Sequence, residues 1–208
     1  MANKNEEQLK TMMSGQKTID VNFKENGKKR TTKLKVQDPG TSVGLDILDL
    51  TDVGDQTNNL PEAYDLVMRN VIISPKMSYE SLNKELPDKF QKKEITKTNS
   101  DGDKVTITMK FPDYRTALGI IFEIQKNNGG MNNKKVMTDI CNNVIVDKDN
   151  KHVDLDFFDE GSDGAGLTFV VMSEVMKFLS APVNYKGVGA IIGAAFQFSL
   201  DSLLKIKK

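Results

Sequence analysis

One cysteine, one histidine and no tryptophan in 208 residues leave little for side-chain chemistry to start from. A lone Cys141 excludes an internal disulfide and fits a reducing compartment. A lone His152 means that any imidazole-based metal site or acid–base dyad would have to recruit other residue types. There is no CxxC, no HExxH and no nucleophile elbow. Gly15-Gln-Lys-Thr18 lacks the leading glycine of a phosphate loop, and Gly129-Gly130 has no dinucleotide fingerprint around it. Long apolar runs are missing too. Val188 to Leu200 is the longest, is broken by Gln197, and is too short to span a bilayer. Nor is there a charge of one sign, since 29 Lys+Arg balance 29 Asp+Glu, so no overall field draws the chain to DNA or anionic lipid. Met1-Ala-Asn-Lys-Asn-Glu-Glu shows no apolar signal core, and the expected location is the cytoplasm. These absences point away from catalysis; the expectation is no catalytic residue, no cofactor and no metal.

What is present is internal similarity. Asn26-Gly27 lies between two β-type runs, Ile19–Phe23 and Thr32–Val36, the strongest short signal for a hairpin. Seventy-five residues on, Asp101-Gly102 lies between Glu94–Thr98 and Thr106–Phe111. Thr41-Ser-Val-Gly-Leu45 lines up with Thr116-Ala-Leu-Gly-Ile120 at the same spacing, each after a turn containing Asp (Asp38, Asp113). Two residues then drop out in the polar loops 52–59 and 126–133, and Asn70-Val-Ile-Ile73 matches Asn143-Val-Ile-Val146. Helical stripes precede both: Tyr64, Val67, Met68, Val71 and Met137, Ile140, Cys141, Val144. On that stripe Cys141 reads as a buried structural thiol. The fold expected is α+β, a tandem repeat of a β-hairpin followed by two short helices, plus a C-terminal helical segment. The bounds are 1–15 for a flexible arm, 16–88 and 89–162 for the units, and 163–208 for the unduplicated remainder.

Charge and apolar patterning nominate surfaces. Residues 1–36 hold nine Lys/Arg against four Asp/Glu, and residues 147–163 hold seven Asp/Glu against two Lys. Lys24, Lys28, Lys29, Arg30, Lys33 and Lys35 make the first hairpin basic; Lys92, Lys93, Lys97, Lys104 and Lys110 do so for the second. Lysine-guarded edge strands and phosphate binding both account for them. The acidic run from Asp147 fails as a calcium loop, because His152 stands where Gly is needed and Phe158 where Glu is needed. His152 there reads as a surface residue. The basic first unit and acidic end of the second are suited to meet head to tail between protomers. Beyond the units, Leu167 to Leu179 is helical by its Met172, Val175, Met176, Leu179 spacing, and Ser180-Ala-Pro182 is expected to end it. Met172, Met176, Phe178, Leu179, Phe196 and Phe198 form the expected partner-binding surface, since soft Met and aromatic side chains adapt to helical partners.

The order of these elements carries a resemblance. A strand (Thr32–Val36) runs through a turn into Val43–Leu50, then a variable loop. A helix ending Val-Met-Arg-Asn-Val-Ile-Ile-Ser-Pro75 follows, then a polar stretch through Leu82 to Leu86. This resembles the tail assembly chaperones of phages and prophages of low-GC Gram-positive bacteria, best over residues 31–88 and more weakly over 106–158. The second copy departs from the pattern, with Lys148 at the place of Pro75. The resemblance implies a non-catalytic protein of the bacterial host cytoplasm. It would bind the tape-measure protein, recruit tail-tube subunits and self-associate as a homo-oligomer, without membrane. A structural virion or tail-completion protein, and a tandem nucleic-acid-binding module using the basic hairpins, are the alternatives.

Overall fold

The structure, a computed structural model, describes residues 15–25, 27–51, 59–123, 132–147 and 149–204. Nearly all of the expected N-terminal arm, Asn26 of the first turn and most of both polar loops lie outside the described residues. The fold is α+β, with two antiparallel three-stranded sheets and helices around each. The chain divides into two compact units: Met1–Leu82 with Asn184–Lys208, and Asn83–Val183.

In the first unit, strands β1 (Gln16–Glu25) and β2 (Lys28–Gln37) form a ten-pair hairpin from Gln16↔Gln37 to Glu25↔Lys28. Helices α1 (Thr41–Asp49) and α2 (Leu60–Asn70) follow, then strand β3 (Ile72–Ser74), which pairs with β2. A short helix α3 (Tyr79–Lys84) leads onward. The second unit repeats that order. It has β4 (Lys92–Thr98), β5 (Lys104–Lys110), α4 (Tyr114–Phe122), α5 (Asn133–Asn143) and β6 (Ile145–Val146), with β6 paired to β5. It ends in the long helix α6 (Thr168–Asn184), and the chain then returns to the first unit as α7 (Val188–Leu203).

The Asn-Val-Ile matches have a physical cause. Asn70 Nδ2 donates to the Leu66 carbonyl at 2.9 Å, and Asn143 Nδ2 to that of Asp139 at 2.8 Å. Each thus adds a side-chain bond to the carbonyl one turn back, inside the last turn of its helix. The next residue, Val71 or Val144, is fully buried, and its carbonyl accepts from the hairpin: from Gln37 N at 2.9 Å and Lys110 N at 2.8 Å. The isoleucine then opens the third strand, Ile72 opposite Val36 and Ile145 opposite Met109. Asn closes the helix, Val anchors it and Ile begins the strand.

These pairings put the two units 73 residues apart throughout β2 to β6, not 75 in the strands and first helix. Thr41 and Tyr114 open nine-residue helices, and Leu60 and Asn133 open eleven-residue ones. Gly44 and Ile47 are buried at the positions of Ala117 and Ile120, and Pro39 stands where Pro112 does. The shared Thr-x-x-Gly therefore does not mark equivalent positions. The hairpin tips differ as well. Gly27, at φ 77°, belongs to a two-residue connection, whereas Ser100-Asp101-Gly102 is a three-residue loop with Gly102 at φ 90°. Asn99 N donates to Asp103 O at 2.9 Å and Gly102 N to Asn99 O at 3.2 Å, the pattern of a turn followed by a left-handed residue.

Residues 163–208 are not a separate segment, because their two helices fill the cores of different units. In α6, Val171, Met172, Val175, Phe178 and Leu179 join Met109, Ile140, Cys141 and Val144 in one cluster. Pro182 does not end this helix; it lies inside the last turn. There it removes a single late hydrogen bond, while its buried body packs and its carbonyl accepts from Tyr114 Oη at 3.2 Å. In α7, Val188, Ile191, Ile192 and Ala195 are buried, each of the three larger side chains contributing roughly 1.5–3 kcal/mol. Two glycines admit α7. A Cβ on Gly44 of α1 would meet Leu203 at 3.3 Å, and one on Gly187 would strike the Phe23 ring at 2.7 Å. Gly187 also sits at φ 74°, beside Lys186 at φ 51°, whose N–H donates to Glu25 Oε1 at 3.1 Å.

Candidate functional site

A groove of about 1010 Å³ in the second unit is built from turns rather than helices. One wall is the Asn99–Asp103 loop. Asn99 Oδ1 accepts from Asp101 N at 3.1 Å and Asp103 N at 2.8 Å, so the side chain stands in for a missing backbone ladder. Asp147 does the same in its loop, accepting from Asp149 N at 2.8 Å and Lys151 N at 2.9 Å, with Asn150 at φ 68°. Asp147 thus has a structural role in its own loop, through Oδ1. The floor comes from Ile107, Ile145 and Val153. The far side is the 3₁₀ turn Leu155–Phe158 and the following turn, which is held to the first loop by Ser100 N donating to Ala165 O at 3.0 Å.

Asp101, Asp103, Asp154, Asp156 and Asp163 line this groove with Asp147, against Lys104 and His152. None of those five carboxylates is ion-paired among the described residues. His152 is exposed, as expected from sequence, and its Nδ1 lies 3.0 Å from the Ile145 carbonyl. No group of three metal-ligating side chains comes together among the described residues. The groove therefore presents negative charge on a polar, open surface, unlike the mostly apolar pockets that enclose small ligands.

Cys141 is 1% exposed on α5. Burial, with a smaller contribution from the Asp154 charge, pushes its thiol up to about 11, so it stays protonated and non-nucleophilic at neutral pH. On the same unit, Lys135 binds both Glu123 and Asp139. Burial and then the hydrogen bond with Asp139 raise the Glu123 carboxyl above its ordinary range.

The expected partner surface is corrected in part. Met172, Phe178 and Leu179 are 6%, 5% and 0% exposed, so they are core of the second unit and unavailable to a partner. Met176 is half-buried against the same cluster. Phe196 and Phe198 belong to the first unit and are half-buried, Phe196 edge-to-face on Tyr64 at 5.5 Å. The i, i+3, i+4 spacing that nominated these residues marks a buried helix face as readily as a docking one. The exposed apolar side chains of α6 are instead Phe169 (66%) and Val170 (43%) in its first turn. Nothing in sequence distinguished them from their buried neighbours.

The two basic hairpins also differ. Lys92 pairs with Glu94 at 2.7 Å and Lys93 with Glu174 at 3.2 Å, and bonds from these lysines and Lys177 hold both carboxyls below their ordinary range. In the first hairpin Lys24, Lys28, Lys29, Arg30, Lys33 and Lys35 are all exposed, and only Arg30 has an acidic partner among the described residues, Glu25 at 3.7 Å. No helix among the described residues is long and apolar enough to cross a membrane. Comparison with family models, with curated proteins and with solved structures finds no match.

Proposed function

We propose that this chain is a non-catalytic phage tail assembly chaperone, one that binds the helical tape-measure protein and recruits tail-tube subunits in the host cytoplasm. The observation that carries the reading is the helix-to-strand junction built twice from Asn-Val-Ile, at Asn70–Ile72 and Asn143–Ile145. Those residues carry the resemblance to the chaperone family, and their geometry gives the motif a reason to recur: it closes a helix, anchors it and completes a sheet. A protonated, buried Cys141 and an acidic, open groove support a binding role.

The test is co-expression with a tape-measure protein encoded beside this chain. Under the proposal the tape measure remains soluble and co-purifies with this chain, and it aggregates when expressed alone. A tape measure equally soluble without it, or recovery of this chain in finished virions, would overturn the reading, the latter in favour of a structural tail protein.

A further inference from the structure

The helix that closes the first unit is held weakly by its own sequence. α7 packs on β1, β2, α1 and α2 through Val188, Ile191, Ile192 and Ala195, yet departures from helix rules gather along it. Gly193 lies mid-helix on the exposed side with nothing within 4 Å of where a Cβ would stand, so no close approach requires glycine there. Ser199 is 1% exposed, and its Oγ has no hydrogen-bond partner among the described residues. The N-cap is Gly187, which supplies no side-chain bond, and the first turn holds no acidic residue to meet the positive end of the helix dipole. Lys186 before it stands at φ 51°, a left-handed conformation that a side chain enters at a cost.

The charge around that first turn has the wrong sign as well. Lys186 N–H bonds to Glu25 at the end of the hairpin, and Gly187 sits against the Phe23 ring. In register, Lys28 faces Glu25 and Arg30 faces Phe23, and both basic side chains are exposed. Glu25 is already engaged twice, through Oε2 with Arg30 at 3.7 Å and through Oε1 with Lys186. The positive end of α7 thus lies at the basic end of the hairpin. Local rules broken together without a gain in packing mark a functional element.

We propose that α7 is a displaceable cover, and that the surface beneath it takes a partner's helix with an apolar face and an acidic first turn. Such a helix keeps the apolar burial that α7 supplies. It adds carboxylates for its own free N–H groups and for Lys28 and Arg30, which α7 lacks. Opening turns on Lys186 and Gly187, two consecutive left-handed residues. The partner's apparent affinity is its intrinsic affinity reduced by the open fraction of α7, so the cover sets a threshold that a helix without the acidic turn fails to cross. Nothing in this recognition requires the partner to be a tape-measure protein.

Synthetic helices test it on the intact protein. The probe is a fluorescein-labelled peptide of residues 188–204 carrying Gly189→Glu/Ala190→Glu, and its control carries Gly189→Lys/Ala190→Lys. In fluorescence anisotropy the acidic peptide should bind at least about tenfold more tightly than the control, and Lys28→Glu/Arg30→Glu in the protein should erase that preference. Binding should speed hydrogen exchange of the α7 amides while those of β1 and β2 stay protected. Gly193→Ala in the protein, which tightens the cover, should weaken peptide binding about threefold to fivefold. Absence of binding at up to roughly 100 μM acidic peptide would overturn the proposal. Equal binding of the two peptides, or binding that leaves α7 exchange unchanged, would overturn it too, the latter by placing the peptide elsewhere. A Gly193→Ala protein that binds as wild type does would show that α7 is no gate.

Discussion

Cys141 is a built-in reporter of the second unit, and its reactivity can be worked out in advance. Its thiol titrates at about 11 where an ordinary one titrates at 9.0. At pH 8 that difference alone lowers the thiolate fraction by about a hundredfold. Burial adds the free energy of exposing a fully packed α5 residue. If that opening costs roughly 5 kcal/mol, only about one molecule in 5,000 is open at a time. Reaction with a chromogenic disulfide at pH 8 should therefore run between about a hundredfold and several thousandfold slower in buffer than in 6 M urea. The sign of the pH effect also follows. A thiol whose pKa is raised by folding contributes stability below the unfolded value, and that contribution is lost as pH climbs from 9 toward 11, up to ~2.7 kcal/mol. Cys141→Ala, with nothing to titrate there, should lack that portion of the alkaline loss in urea melts. Native labelling within tenfold of the unfolded rate would refute the argument and reopen Cys141 as a reactive group.

Other outcomes follow from the same packing. Phe178→Ala should cost about 3–5 kcal/mol in chemical denaturation and Phe169→Ala less than ~0.5 kcal/mol, since one is core and the other solvent-exposed. Asn70→Ala and Asn143→Ala should each cost about 1 kcal/mol or less by losing the side-chain bond in the helix's last turn; a difference above ~1 kcal/mol between them would contradict their equivalence. Ser199 Oγ is buried without a hydrogen-bond partner among the described residues, so Ser199→Ala should leave the melting temperature unchanged or raise it. The Glu174 carboxyl is lowered by its bonds to Lys177 and Lys93, so it contributes stability above the ordinary value of 4.5 that is lost as pH falls through its lower folded value. Lys93→Met should flatten the acid limb of the stability profile below pH 4.5 and leave its alkaline limb unchanged.

The α+β class, the existence of two like-ordered units and the burial of Cys141 were legible in sequence because period-2 and period-3.6 patterning report burial directly. The frame between the units was not. Identity at Thr41 and Thr116 drew the alignment to 75, but both threonines lie outside the cores. The residues that fix the frame are buried ones that differ in kind, Gly44 with Ala117 and Val36 with Met109. The partner surface failed for a related reason. A stripe of Met172, Val175, Phe178 and Leu179 specifies that a helix buries one face without saying whether against its own chain or another. The groove was hidden altogether, because it is assembled from turns contributed by β4–β5, the β6 end and the segment before α6, which are far apart in sequence.

The return of α7 to the first unit inverts the order in which the protein is finished on the ribosome. Residues 83–183 have all emerged before the residues of α7, so the second unit can be complete while the first still lacks the helix that covers Phe23, Gly44 and Tyr64. At roughly 5–20 residues per second the first hairpin and its helices then wait several seconds for that helix, their apolar side uncovered. A released chain truncated after Val183 should therefore hold a protease-resistant second unit and a susceptible first one.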